Sequence, residues 1–407
     1  VKHTRTRAPC FLAAATLLHA SANPPPATRA AQIEAKRVEK AAHLKPERLP
    51  ALHRGFLYFE ENRLYYRITS PTPEVSIRFD APGGGFAAGP QYLRRGLFGG
   101  RGEVRTSVVG TTEAFYLADA AFGFPNLAGG RASLEFLALR QWSPYLDYYG
   151  PGPGSQKSGR TAYSFENTGF EVRSGYNLSR NISTGGLTRY LLFNVGPGRK
   201  DKFASTDEVF TPATTPGLDQ QTNFINPGVF LDFNWVRYPR GRRSGTRLLT
   251  EYAVFFDTGA AGFTFGRFDV DIRRYFALLN GQREVLLRAR AAFADPFGSE
   301  GVPFYIQPRL GGAETLRGFR NRRFYDNNMF VLNGEYRWEI ADQTDAALFV
   351  DAGKVFPSLG QIRPFQELST SYGFGVRIRQ GNVVTWRFDV GFSREGPQVW
   401  LIFGDLF

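Results

Sequence analysis

The chain is 407 residues long, carries a formal charge of +13, and is 15% aromatic with 38 phenylalanines and 45 glycines. No run approaches the roughly 18–20 apolar residues of a membrane-spanning helix, and the arginines recur singly rather than as a basic stripe or recognition helix, which argues against a helical membrane protein and a nucleic-acid partner. The only cysteine is Cys10 and the four histidines are His3, His19, His43 and His53, so everything after residue 53 lacks disulfides, His/Cys metal sites and histidine-based nucleophiles.

The N-terminus opens with Lys2, Arg5 and Arg7, continues through an apolar stretch at 11–18, and reaches Ala20-Ser21-Ala22. A positive start, a short apolar run and a small-residue cleavage site predict a secretory signal peptide over 1–22. Residues 23–84 read as a periplasmic N-terminal segment. It has a proline run, a short Ala/Lys/Glu-rich helix at 30–42, and strand-like pieces at 56–59, 64–68 and 75–79 that find no place in a larger sheet.

From residue 85 the chain becomes a series of period-two segments of roughly ten residues, the length of a tilted membrane-spanning strand. Sixteen are expected, at 85–94, 103–111, 113–124, 131–142, 158–167, 169–178, 185–196, 228–237, 246–257, 262–275, 283–293, 328–340, 345–355, 370–380, 383–393 and 397–407. In 383–393, Val384, Trp386, Phe388, Val390 and Phe392 share one face, and Thr385, Arg387, Asp389 and Gly391 the other. In 328–340, Phe330, Leu332, Tyr336 and Trp338 oppose Asn333, Glu335 and Arg337. Side chains alternate across a strand, so each segment has one apolar and one polar face.

A soluble sandwich turns the apolar face inward, whereas a membrane barrel turns it out to lipid. Large aromatics on the apolar faces, the secretory leader and Phe407 at the end of a strand-like segment favour the barrel. The expected fold is all-β, a 16-stranded antiparallel transmembrane β-barrel over residues 85–407. Connections 197–227, 294–327 and 356–369 are long and fall on one side; 280–282, 341–344 and 381–382 are short and fall on the other. The connection 143–157 does not fit, being long on the short side.

At this point the residues resemble the BamA/TamA superfamily of outer-membrane assembly barrels, the bacterial surface antigen type. The similarity covers about 85–407. The glycine-rich stretch 96–102 looks like the family's turn after its first strand, and 124–130 like the motif closing its third. Leu316-Arg317-Gly318-Phe319 matches the arginine-glycine-aromatic motif of the sixth outer loop. Phe349-Val350-Asp351-Ala352-Gly353 matches a second motif on the thirteenth strand, and Gly334-Glu335-Tyr336-Arg337 is also family-like.

The resemblance implies that the sixth outer loop folds back into the lumen and that Arg317 pairs with Asp351. Asp351 shares a strand face with Phe349 and Gly353, so it should point inward, and a guanidinium fork suits a carboxylate. Gly318 permits close backbone approach, and Glu335, on the neighbouring strand, is a second acid within reach. Phe407 is similar to the C-terminal assembly signal of outer-membrane barrels. Well-known members carry periplasmic POTRA domains; only 23–84 precede the barrel here, so no full POTRA array is expected.

The implied role is non-enzymatic: a bacterial outer-membrane barrel, N-terminus periplasmic, assisting insertion or translocation of a polypeptide or lipid-linked client. Its implied partners are outer-membrane lipids and a polypeptide client or periplasmic accessory protein; no cofactor, metal ligand or catalytic residue is expected. The alternative is a plugged or gated channel or transporter without assembly activity. Arg267, Arg273, Arg288, Arg290, Arg377 and Arg379 would favour anions in an open lumen, whereas the interleaved Asp232, Asp269, Asp271 and Asp389 would brace it by pairing.

Overall fold

The computed structural model describes residues 74–79, 83–198, 203–259, 261–361 and 366–407. The expected signal peptide and the 23–73 part of the N-terminal segment lie outside the described residues. The alternating segments form one antiparallel sheet of sixteen strands. Its first half contains β1 (Val75–Arg78), β2 (Ala87–Gly96), β3 (Gly102–Thr111), β4 (Tyr116–Leu127), β5 (Ala132–Tyr148), β6 (Thr161–Ser179), β7 (Ile182–Pro197) and β8 (Thr222–Arg237). There follow β9 (Ser244–Asp257), β10 (Phe265–Leu278) and β11 (Arg283–Pro296). A two-stranded hairpin, β12 (Arg309–Leu310) with β13 (Phe324–Tyr325), lies in the next loop. The sheet resumes with β14 (Asn328–Ala341), β15 (Thr344–Phe356), β16 (Ser369–Gln380), β17 (Val383–Ser393) and β18 (Gly396–Phe403). Each strand pairs with the next in the chain, β11 pairing with β14 across the hairpin.

The number of strands agrees with the expectation, but two of them differ. Residues 158–167 and 169–178 are not two strands; they are one, the 19-residue β6. The other strand comes from Val75–Arg78, which pairs with β2 and so opens the sheet ahead of the boundary expected at 85. The polar stretch at the expected break lies mid-strand and is satisfied on its outward side. Arg140 Nη1 donates to Thr168 Oγ1 at 2.5 Å and also contacts Glu166, to which Asn194 Nδ2 donates at 3.1 Å. Strands β5 to β8 run 16 to 19 residues, well beyond the roughly 9–11 that cross a bilayer. Outward polar residues there mark where strands leave the lipid belt, not where they end.

The corrected strands also correct the loops. Segment 149–160 now shares the long-loop end with 198–221 and 297–327, and the misfit of 143–157 disappears. The other end has only tight connections: 97–101, 128–131, 180–181, 238–243, 279–282, 342–343 and 381–382. The stretch 96–102 follows the second strand and 124–130 closes the fourth, each one strand later than the resemblance implied.

The outward face carries exposed Phe136, Val172, Val229, Tyr252, Phe268, Leu332, Val350 and Phe374. The inward face buries Asn333, Glu335, Arg337, Asp351, Arg377, Arg387 and Asp389. An apolar exterior around a charged interior reverses the soluble arrangement and is that of a transmembrane barrel. The end strands β1 and β18 share no hydrogen-bonded ladder among the described residues. They meet instead through Phe79 stacked on Phe403, with ring centroids 5.1 Å apart and planes 18° off parallel.

Side chains pack into the lumen towards both of its ends. At the long-loop end, Phe304 and Tyr305 of loop 297–327 pack among Tyr148, Tyr163, Phe193, Phe224 and Phe265. Phe304 lies edge-on to Tyr163 at 4.8 Å, and the Tyr305 hydroxyl meets Thr222 Oγ1 at 2.5 Å. At the short-turn end, Leu406 and Phe407 pack on Tyr275 and Leu286. The expected final strand 397–407 therefore stops at Phe403: Gly404, at φ 98°, turns residues 405–407 into the lumen.

Beside β13, Asp326 is buried, and this desolvation pushes its carboxyl up to about 6. The folded chain thus holds that proton more tightly than the unfolded chain, where an aspartate titrates near ~4. The stabilisation is complete below that value and is lost as pH rises through about 6. Asp326→Asn is expected to flatten the fall in unfolding temperature across that window, as read by heat-modifiable gel migration at pH steps. An unchanged slope would remove Asp326 as its source.

Candidate functional site

Loop 297–327 reaches the lumen wall at its glycine-marked centre. Gly311 and Gly312 sit at φ 110° and 96°, a region open to glycine at little cost. A Cβ on Gly311 would lie 2.3 Å from the Arg320 carbonyl oxygen. Gly312 N–H donates to the Phe319 carbonyl at 3.1 Å, and Phe319 N–H donates to that of Leu316 at 3.0 Å. The segment is thereby closed into a compact turn with Arg317 at its apex.

Arg317 is fully buried and sits between two acids from neighbouring strands. Its Nη2 lies 2.7 Å from Asp351 Oδ1 and its Nε 3.0 Å from Oδ2. Its backbone N–H also donates to Asp351 Oδ2 at 3.0 Å. Nη1 contacts Glu335, and the guanidinium carbon lies 3.5 Å from the centroid of the Phe349 ring. Burial by itself would loosen the guanidinium's proton, but Asp351 and Glu335 outweigh it and raise its proton affinity above the ordinary value. Arg317 is therefore a fixed cation.

From this apex the charges continue along the wall. Asp351 also accepts from Asn333 Nδ2 at 2.8 Å and Ser371 Oγ at 3.1 Å. Glu335 accepts from Arg337 Nε at 2.6 Å and Arg377 Nη2 at 2.8 Å. Arg377 reaches Asp389 at 2.6 Å, and Asp389 lies 3.3 Å from Arg387. Arg337 reaches Asp405 at 2.6 Å, which Arg243 also holds at 2.7 Å. The network therefore runs from the folded-in loop to the tucked 405–407 tail. Such a network is weak evidence of net stability, but removing one member strands a buried charge.

The backbone contacts are as close as the ionic ones. A Cβ on Gly318 would lie 2.5 Å from the Phe392 carbonyl oxygen, and one on Gly391 2.4 Å from that of Arg317. Trp400 Nε1 donates to the Arg317 carbonyl at 2.7 Å, and Ser393 Oγ to that of Gly318 at 2.6 Å. Phe319 packs edge-on against Phe324 at 5.3 Å, in an apolar cluster with Leu316, Leu310 and Val355. A Cβ on Gly353 would meet the Phe330 carbonyl oxygen at 2.8 Å.

The structure thus brings together Arg317, Gly318, Phe319, Asp351, Gly353 and Glu335. Phe407 lies apart, at the short-turn end, and is linked to them through Arg337, which lies over its ring and contacts Glu335. Sequence reasoning placed Arg337 and Arg377 on polar strand faces but did not connect them with the loop, although both share the inward face with Glu335 and bond to it. It missed Asn333, Ser371, Gly391, Trp400 and Asp405 as parts of the site. Trp400 is 83 residues from Arg317, and no local pattern announces such a contact. Elsewhere in the lumen Arg267 pairs with Asp269 at 2.7 Å, Arg288 with Asp271 at 2.7 Å, and Arg247 with Asp232 at 3.2 Å, whereas Arg290 has no acidic partner among the described residues.

The sequence pattern of the Omp85 superfamily domain matches residues 109–398. No curated protein matches the chain. Among solved structures, BamA from Haemophilus ducreyi lacking POTRA domains 1–3 has a similar fold, at 14% identity and a TM-score of 0.60, over 82% of this chain and 70% of that one. CdiB from Escherichia coli is similar at 14% identity and a TM-score of 0.52, over 78% of this chain and 57% of that one. At such identities the likeness is one of fold, and the chain spans little more than half of CdiB.

Proposed function

The chain belongs to the Omp85 superfamily of outer-membrane barrels, and on that footing we propose that it assists insertion or translocation of a polypeptide or lipid-linked client. In this reading the long loops face outward and the short turns face the periplasm, so the N-terminal segment is periplasmic. Arg317, Asp351 and Glu335 hold the folded-in loop on the wall that ends in β18. No catalytic residue, cofactor or metal is assigned.

The observation that carries the reading is the unpaired edge. β1 has four residues and β18 eight, and among the described residues no ladder joins them. Free strand edges present backbone donors and acceptors to which another chain can add as a strand. Inside the lumen, loop 297–327 is packed and ion-paired onto the wall through Phe304, Tyr305 and Arg317, which supports a plugged barrel over a standing pore.

Depletion of the chain is expected to lower the amounts of a subset of outer-membrane proteins, measured by quantitative proteomics of outer-membrane fractions. The purified barrel is expected to show little steady conductance in planar bilayers. A large steady conductance with an unchanged outer-membrane proteome would replace this reading with a channel.

A further inference from the structure

The tight turns repeat a chemical pattern that the Arg317 site does not use. Five consecutive turns, from β2–β3 to β10–β11, each carry an exposed arginine in or beside them: Arg101, Arg131, Arg180, Arg237 and Arg283. The connecting residues 97–101, 128–131, 180–181, 238–243 and 279–282 contain no carboxylate. Among the described residues none of the five arginines has an acidic partner; Arg283 donates to the Tyr336 hydroxyl at 2.6 Å instead. Three lumen arginines, Arg267, Arg273 and Arg288, instead pair with aspartates, although Arg290 has no acidic partner among the described residues.

Large apolar side chains stand beside four of these arginines. Phe98 is 69% exposed, Leu178 62%, Trp235 52% and Leu279 62%. Phe98 and Leu279 project from left-handed backbone, at φ 53° and 46°, which side chains rarely adopt. Exposed aromatic and aliphatic tips alternating with unpaired arginines match the chemistry of a membrane interface, with apolar tips in the acyl boundary and guanidinium groups at phosphates.

The pattern then stops. The β14–β15 turn carries exposed Asp342 beside exposed Glu339, and the β16–β17 turn is Gly381-Asn382. Arg379, nearby, is taken up by Asp345 at 2.9 Å.

We propose that the short-turn rim of β2–β11 is a docking collar for anionic glycerophospholipid headgroups. This rests on the reading above, in which the short turns face the periplasm and so lie at the inner leaflet of the outer membrane. The collar anchors one part of the circumference to lipid phosphate. It leaves unanchored the rim beneath β14–β18, the wall that holds Arg317 and the free edge.

The test uses the full chain inserted into bilayers of phosphatidylcholine and phosphatidylglycerol, extracted gently, with the retained lipids quantified by mass spectrometry. Phosphatidylglycerol is expected to be enriched several-fold at low salt, and the enrichment to fall as salt screens the arginines. This salt arm needs no variant. The combined variant R101Q/R131Q/R180Q/R237Q is expected to lose the enrichment, whereas lysine at the same four positions retains it. Equal lipid ratios around inserted wild-type chain, enrichment untouched by salt, or enrichment of added lipid A in place of phosphatidylglycerol would overturn the collar. So would loss of a co-purifying acidic protein with lipids unchanged, which would make the rim a protein-binding surface. Failure of the wild-type chain to insert would overturn the barrel reading itself, an outcome distinct from insertion without lipid preference.

Discussion

Arg317→Ala is expected to destabilise the barrel by about 3–5 kcal/mol, the usual cost of stripping one partner from a buried ion pair. Domain stabilities are only about 5–15 kcal/mol in total, so the heat-modifiable form should melt far earlier or fail to accumulate in the outer membrane. The physical cause is specific. Asp351 keeps Asn333 and Ser371 as donors but loses the one guanidinium that meets it among the described residues, along with the charge sandwiched against Phe349. Glu335 loses less, because Arg337 and Arg377 remain. Asp351→Ala should therefore resemble Arg317→Ala, and the double variant should cost less than the sum, with a coupling of roughly 0.5–3 kcal/mol. Arg317→Lys should fall between, since it keeps the charge but not the planar fork. Strict additivity in the double-mutant cycle, measured by thermal gel shift, would show that the pair is not energetically linked.

Gly391→Ala is expected to be nearly as damaging, although it removes no charge and adds one methyl group. Its Cβ would sit 2.4 Å from the Arg317 carbonyl oxygen, a backbone atom that cannot rotate aside. The loop must lift from the wall, which breaks the Trp400 and Ser393 hydrogen bonds to the Arg317 and Gly318 carbonyls. Overpacking costs about 1–3 kcal/mol, and each lost hydrogen bond adds roughly 0.5–1.5 kcal/mol. Loop 297–327 should become sensitive to protease in intact barrels, and the Arg317–Asp351 coupling should shrink. Gly110→Ala is the matched control, because a Cβ there meets nothing within 4 Å; it should leave both readouts unchanged. Protease resistance equal to that of wild type in Gly391→Ala would show that the loop is held by other contacts.

The legible part of the site was the part written in short strings. Asp351 and Glu335 could be placed on inward faces because alternation assigns each residue a side from its neighbours alone. Arg317 could be matched with Asp351 only because two motifs resembled a family's; spacing alone left Glu335 a possible partner, and the structure uses both. Trp400, Gly391 and Ser371 were not legible. Trp400 and Gly391 touch the backbone of the folded-in loop, and Ser371 the Asp351 carboxylate on the adjacent strand. An inward tryptophan, glycine or serine reads the same whether or not a loop lies over it.

The fold divides along a similar line. The sequence alone determined an all-β chain of alternating strands, each with one apolar and one polar face, and a long sixth loop, because strand periodicity and turn chemistry act over a few residues. It mistook one long strand for two at 158–178 and found no place for Val75–Arg78. A strand's end is set by whether its neighbour continues beside it, and β6 continues because β5 and β7 do. Likewise the pattern of 397–407 looks strand-like to its last residue, yet Asp405 leaves the sheet for Arg337 and Arg243, 68 and 162 residues away. Only the tertiary structure decides such contacts, since the energy of a buried charge depends on which distant partner the fold brings to it.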